Sequence, residues 1–253
     1  MAGMASMAAG GLPPLAAGAM SPRGGRGGGG GLSGPMPGEF GDPARRATDV
    51  LLVGNALLFA LQLLTKEVVT IWGIKVNALI VAGQWWRLLT PAFLHGNLMH
   101  LVVNSYSLNN LGPTVERTAG SGRFLLMYLA AAVAGNVASF YGSQAPSLGA
   151  SGAIFGIGGA LAMYFYRNRE IHGRRSEIVL RSLWQTLLMN VLYGLSNPRI
   201  DNWGHLGGMV GGALAALLLG PLWQVRPLPG KRGEWLVDAA PLPWFRSQPR
   251  PLR

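Results

Sequence analysis

Six apolar stretches recur through the middle of this chain, at about residues 49–65, 97–112, 123–142, 149–166, 178–196 and 203–222. Most fall near or slightly below the roughly 20 residues that a helix needs to cross the hydrocarbon core of a bilayer. They predict an all-α membrane protein, a bundle of six spans over residues 49–222. Composition agrees: 49% of the residues are hydrophobic and only 12% are charged, about half the charged share of a soluble domain. Cysteine is absent from the sequence, which excludes disulfides, thiolate metal sites and cysteine nucleophiles.

The formal charge of +11 would suggest nucleic acid in a soluble protein. Here the basic residues sort by side instead. If six spans place both termini on one side, 17 of the 21 Lys and Arg residues fall there, from Arg23 and Arg45 through Arg123 and Arg174 to the tail. Lys66, Lys75, Arg87 and Arg199 fall opposite. That asymmetry is the positive-inside rule, so the partner it predicts is a lipid bilayer and not a nucleic acid.

Three other segments need separate readings. Residues 1–48 are rich in Gly and Pro, and SPRGGRGGGGG cannot bury enough apolar surface to offset ordering. This segment is expected to be disordered, either as a plain tail or as an organelle transit peptide. Between the first two spans, TKEVVTIWGIKVNALIVAGQWWRLLTPAFLHG is too apolar for a simple loop and too interrupted for a span. With Trp72, Trp85 and Trp86, the residue type that settles at headgroup depth, it is expected to be half-inserted. Residues 223–253 read as a basic, Pro-containing tail on an anionic membrane surface.

Polar residues inside spans are costly and mark function. The second stretch is the shortest and carries His100, Asn104, Asn109 and Asn110. In the predicted topology, spans 2, 4 and 6 run in the same direction, so their first turns share one depth. That depth gathers His95, His100 and Asn104 from span 2, Gly149-Ala150-Ser151-Gly152 from span 4, and His205 from span 6, while His172 falls in a basic loop, expected in solvent. A serine with a histidine is the smallest nucleophile and general-base pair, and His100 and Asn104 offer N–H donors for a developing oxyanion. Other readings compete. Ser151 among glycines also suits close helix packing, as do Gly204, Gly208 and Gly212 at intervals of four. Three histidines at one depth also suit a metal, but no HExxH occurs and carboxylates are nearly absent from the spans, so no metal is expected. A solute-transport site is disfavoured by the same lack of carboxylates.

Five elements in sequence order resemble the rhomboid family of intramembrane serine proteases. They are Trp86-Arg87; His95 and His100 with Asn104; Glu116-Arg117 followed by Gly120-Ser121-Gly122; Gly149-Ala150-Ser151-Gly152; and Gly204-His205 with Gly208 and Gly212. The resemblance implies a six-helix rhomboid bundle with a half-inserted loop between helices 1 and 2, and cleavage of membrane-anchored proteins without a cofactor. It implies Ser151 as nucleophile, His205 as base, and His100 and Asn104 as oxyanion donors. Trp86, Arg87 and Glu116 would be structural, His95 structural beside the site, and Gly208 a contact that brings span 6 against span 4. The position four after the serine, often tyrosine in this family, is Phe155 here. Asp201, four residues before His205, reads as a cap or turn residue and not as a third catalytic group. A catalytically silent family member that binds client helices is the alternative, and such proteins typically lack the serine or the histidine. The segments WGIKVNALIVAGQWWR, NSYSLNNLGPT, APSLGASGAIFG and RIDNWGHLGG are most similar to plant plastid rhomboids. This implies a plastid membrane, the inner envelope first, with the mitochondrial inner membrane as alternative.

Overall fold

A computed structural model describes residues 39–197 and 200–251. Most of the glycine-rich N-terminal segment, and Arg199 on the predicted outer side, lie outside the described residues. A 3-10 turn, Pro43–Arg45, leads into α1 (Arg46–Leu64). Two short helices, α2 (Val68–Gly73) and α3 (Asn77–Val81), and two 3-10 turns fill the region up to Phe93. Then follow α4 (Leu98–Ala119), α5 (Ser121–Gly142), α6 (Ser151–Arg167), the single turn α7 (Arg169–His172), α8 (Arg174–Leu195) and α9 (Asn202–Leu219). Three of these, spanning Pro43–Leu64, Ser121–Gly142 and Arg174–Leu195, are long and apolar enough to cross a membrane by length and composition. Large apolar side chains face outward on α1 (Val50, Leu57, Leu64) and α8 (Ile178, Trp184, Leu195). In water such surfaces would drive association; in lipid they are at home, and the chain is a membrane protein.

The interior is built around α6, which packs against α4, α5, α8 and α9. Leu108, Phe124, Tyr128, Ile157 and Leu161 are fully buried there. Lipid is as apolar as leucine, so close packing has to hold such a bundle together. The α6–α9 contact shows how. Gly152, Gly156 and Gly159 of α6 face Gly204, Gly208 and Met209 of α9, in parallel order. On its other side, α9 meets α5 in antiparallel order, Gly207 against Ala138 and Gly211 against Ala134.

Four expectations change. The second helix does not stop at 112: it runs through Pro113 to Ala119, and Gly120 (φ +86°) alone separates it from α5. The extra turns place Glu116 where its buried carboxylate accepts from Ala47 N (2.8 Å), Thr48 N (2.8 Å), Thr48 Oγ1 (2.7 Å) and Ser121 Oγ (2.6 Å). One side chain thereby satisfies two of the free N–H groups at the start of α1. Second, the all-α expectation fails at the C-terminus. Trp223–Pro227 (β1), Glu234–Asp238 (β2) and Arg250–Pro251 (β3) form an antiparallel sheet in the order β1-β2-β3. The intervening segment 228–233 contains Pro229, Gly230 and Gly233, with both glycines at positive φ, which reverses the chain as a tail reading does not foresee. Third, His172 is half-buried, its Nε2 2.9 Å from Tyr164 Oη and its ring against Tyr164 and Phe165. Fourth, Lys75, counted among the charges of the outer side, is fully buried.

Candidate active site

Ser151 is the first residue of α6, reached through Gly149 at φ +137°. That left-handed conformation is open to glycine and strained for other residues. It is held by Gly149 N donating to Pro91 O at 2.9 Å. Space requires glycine as well: a Cβ at 149 would stand 2.6 Å from His100 Cε1 and 2.8 Å from His100 Nε2. The same point is 3.7 Å from Ser151 Oγ, so the His100 ring and the Ser151 hydroxyl flank one backbone position.

His205 arrives from α9. Asp201 is the N-cap of that helix, its Oδ1 accepting from Gly204 N at 2.9 Å, as cap geometry requires. The first turn of α9 then lies against α6, and His205 Nε2 stands 2.8 Å from Ser151 Oγ. Phe155, one turn along α6, stacks on the imidazole with centroids 4.2 Å apart and planes 10° from parallel. The second Asp201 oxygen accepts a hydrogen bond from Ser139 Oγ of α5, so this carboxylate is occupied by a cap and a hydroxyl. Gly208 sits where a Cβ would overlap the Gly152 carbonyl, 2.7 Å from its carbon.

A cavity of about 30 Å³, counted as room for water centres, opens beside the pair. A water needs about 10–15 Å³ on that measure. Ser151, His205, Gly149, Asn136 and Ser147 are among its lining residues. Asn136 lies in the middle of α5 and is tied to Leu88 O at 3.1 Å. Sequence reasoning passed over it, although it is the single asparagine of the third apolar stretch.

The remaining predicted residues lie around this centre at different depths. His95 is buried, and its ring meets that of His100 edge-on at 5.4 Å. Its backbone is clasped by Gln62 of α1, which donates to His95 O (3.1 Å) and accepts from His95 N (3.0 Å). Gln62 was also missed, and a fully buried glutamine in an apolar helix was the available signal. Asn104, one turn beyond His100, is buried, and its Nδ2 has no hydrogen-bond partner among the described residues. Arg87 donates to Ile71 O (3.0 Å), Ile74 O (2.6 Å) and Gln84 Oε1 (2.7 Å). Trp86 stacks on Trp72 at 5.4 Å and donates to its carbonyl at 3.2 Å. Both therefore tie together the segment between α1 and α4. Among the described residues, no group of three or more His, Asp or Glu side chains converges to hold a metal ion.

The family profile described as "Rhomboid domain" matches residues 82–222. Over 173 residues the chain is 44% identical to rhomboid protease GluP of Bacillus subtilis (strain 168), covering 68% of this chain and 32% of that one. It is 34% identical over 174 residues to the putative rhomboid protease YdcA of the same organism, covering 66% and 85%. Over 175 residues it is 33% identical to RHOMBOID-like protein 9, chloroplastic, of Arabidopsis thaliana, covering 68% and 39%. The chain thus spans about a third of the length of GluP and 39% of the chloroplastic relative.

Proposed function

This chain belongs to the rhomboid family, and on that premise we propose that it is an intramembrane serine endopeptidase with Ser151 and His205 as its catalytic dyad. The observation that carries the reading is the 2.8 Å separation of Ser151 Oγ and His205 Nε2 beside a cavity large enough for water. In the first step Ser151 Oγ attacks a peptide carbonyl carbon and its proton passes to His205 Nε2. The negative charge on the carbonyl oxygen is met by donors from His100, Asn104 and the Ser151 N–H, each such donor contributing about 10²–10³ in turnover. The C–N bond then breaks, His205 protonates the leaving amine, and an acyl-Ser151 ester remains. Water, deprotonated by His205, attacks that ester and regenerates the serine. The side chains present suffice for this chemistry, and the reading includes no cofactor and no metal.

The architecture we propose with it is six spans, α1, α4, α5, α6, α8 and α9, with the α2–α3 segment half-inserted beside them. Residues 1–48 serve either as a plain tail or as a transit peptide, 49–222 as the catalytic domain, and 223–253 as a basic C-terminal segment at the membrane surface. The substrates are membrane-anchored proteins, single-span proteins among them, cut near the outer end of a span after lateral access from the bilayer. The chloroplastic relative supports a plastid membrane, with the inner envelope as the first place to look and the mitochondrial inner membrane as the alternative.

The test is proteolysis in liposomes with a tagged single-span substrate bearing small residues near its outer end. Wild type is expected to cleave and Ser151→Ala to lose cleavage entirely. Equal cleavage by both removes Ser151 from the mechanism. Binding of the substrate span by both proteins, with cleavage by neither across a panel of spans, supports a silent client-binding protein instead.

A further inference from the structure

Lys75 carries a charge into the interior of the segment between α1 and α4, where it is fully buried. Its ammonium donates to Ser139 O (3.1 Å), Ser143 O (2.7 Å) and Ala145 O (3.1 Å). Its backbone makes both bonds of an antiparallel bridge to Ser147, at 3.0 and 3.2 Å. One residue thus fastens the half-inserted segment to the end of α5 and to the loop that leads into Ser151. Three carbonyls satisfy the three N–H bonds of an ammonium, but they leave its charge unbalanced.

The carboxylate within electrostatic reach is Asp201. Burial pushes the Lys75 ammonium below the usual lysine range, and Asp201 opposes that shift by favouring the charged form. The two are joined through Ser139, itself fully buried: its carbonyl accepts from Lys75, and its hydroxyl donates to Asp201. The other Asp201 oxygen caps α9 at Gly204, one residue before His205. A charge-balanced chain therefore runs from the loop to the first turn of the helix that presents His205. An uncompensated charge left in such a place is more costly than loss of the whole pair.

We propose that Lys75 is a positioning residue for the Ser151–His205 pair: set against Asp201 across Ser139, its charge fixes the cap of α9 and with it the distance at which His205 faces Ser151. The proposal rests on the reading of those two residues as the reacting pair. The experiment uses the full chain in liposomes and compares wild type with Lys75→Met, Asp201→Asn and the double variant. Three quantities are read: the rate at which a fluorophosphonate labels Ser151, kcat and KM for cleavage, and the thermal unfolding midpoint. Labelling needs no bound substrate protein, so it reports on the nucleophile and its base alone. Lys75→Met is expected to slow labelling and kcat together by roughly a hundredfold, the scale of an ångström-sized misplacement, with KM unchanged. The double variant is expected to recover part of that loss, since neither charge is then left alone. Labelling of Lys75→Met at the wild-type rate, or a double variant no faster than Lys75→Met, overturns the proposal. If Lys75→Met does not fold, Asp201→Asn carries the test: slowed labelling at an unchanged midpoint supports the proposal, and wild-type labelling overturns it. A wild-type protein that is not labelled overturns the protease reading and this proposal with it, whereas labelled wild type with unaffected variants overturns this proposal alone.

Discussion

Ser151 and His205 are 54 positions apart in the sequence and 2.8 Å apart in space, and their neighbours decide whether that contact is reactive. Phe155 supplies a flat apolar wall for the imidazole. A stacked aromatic pair contributes about 0.5–1.5 kcal/mol beyond burial, and about 1.4 kcal/mol is a factor of ten in rate. Phe155→Ala is therefore expected to lower kcat by up to about tenfold with KM nearly unchanged, while Phe155→Tyr keeps the ring and the rate; initial rates in liposomes decide both. Gly149→Ala is expected to be more severe, because the new methyl group would displace the His100 ring and strain a backbone at φ +137°. On the proposed role of His100 as an oxyanion donor, its displacement predicts a fall of about 10²–10³ in kcat, with Ser151 still present to be labelled by a serine-directed probe.

Among the helices, glycines differ by what stands opposite them. Gly208 faces the Gly152 carbonyl so closely that any side chain must push α9 away from α6. Gly208→Val is expected to cost about 1–3 kcal/mol or more from overpacking, and to separate His205 from Ser151 at the same time. Gly158 lies in the same α6 helix with nothing within 4 Å of a Cβ. There Gly158→Ala is expected to raise stability by roughly 0.5–1 kcal/mol through helix propensity alone. Thermal unfolding of the two variants in detergent should move in opposite directions. A downward shift for both would mean that Gly158 also packs against a neighbouring molecule or a lipid.

Across the whole molecule, a buried ion pair helps to hold the C-terminal sheet against the bundle. Arg123 near the start of α5 donates to Asp238 Oδ2 at 2.8 Å, and both side chains are nearly or fully shielded. Asp238 also accepts from Ser247 N, Ala240 N and Leu222 N. Burial raises its pKa, but the Ser247 N–H, the Arg123 guanidinium and the Ala240 N–H outweigh that and hold it below the usual carboxylate value. A carboxylate whose pKa is depressed on folding adds stability above its unfolded pKa, about 3.9 for aspartate, and loses that contribution as pH falls through the folded value. Wild type is therefore expected to unfold at a higher temperature than Asp238→Asn at neutral pH, with the gap closing in acid below the ordinary aspartate range. Arg123→Ala, which leaves a buried carboxylate unpaired, is expected to cost roughly 3 kcal/mol.

What the sequence determined by itself was whatever depends on local pattern. Apolar runs set six long helices over 49–222, and a topological argument about depth put Ser151, His205, His100 and Asn104 forward as candidates, of which the structure brings Ser151 and His205 to 2.8 Å. The family followed from short motifs in fixed order. Tertiary structure alone decided the connections between distant polar groups. Glu116 caps α1 from a helix that outruns its apolar stretch, because four donors converge on its carboxylate. Lys75, counted with the outer-side charges, is drawn inside by one carbonyl in the last turn of α5 and two in the loop that follows. The tail's sheet docks on the bundle where Asp238 meets Arg123, 115 positions away. Each of these partnerships joins groups that no periodicity relates, and a buried charge takes whichever partner the packed chain brings within reach.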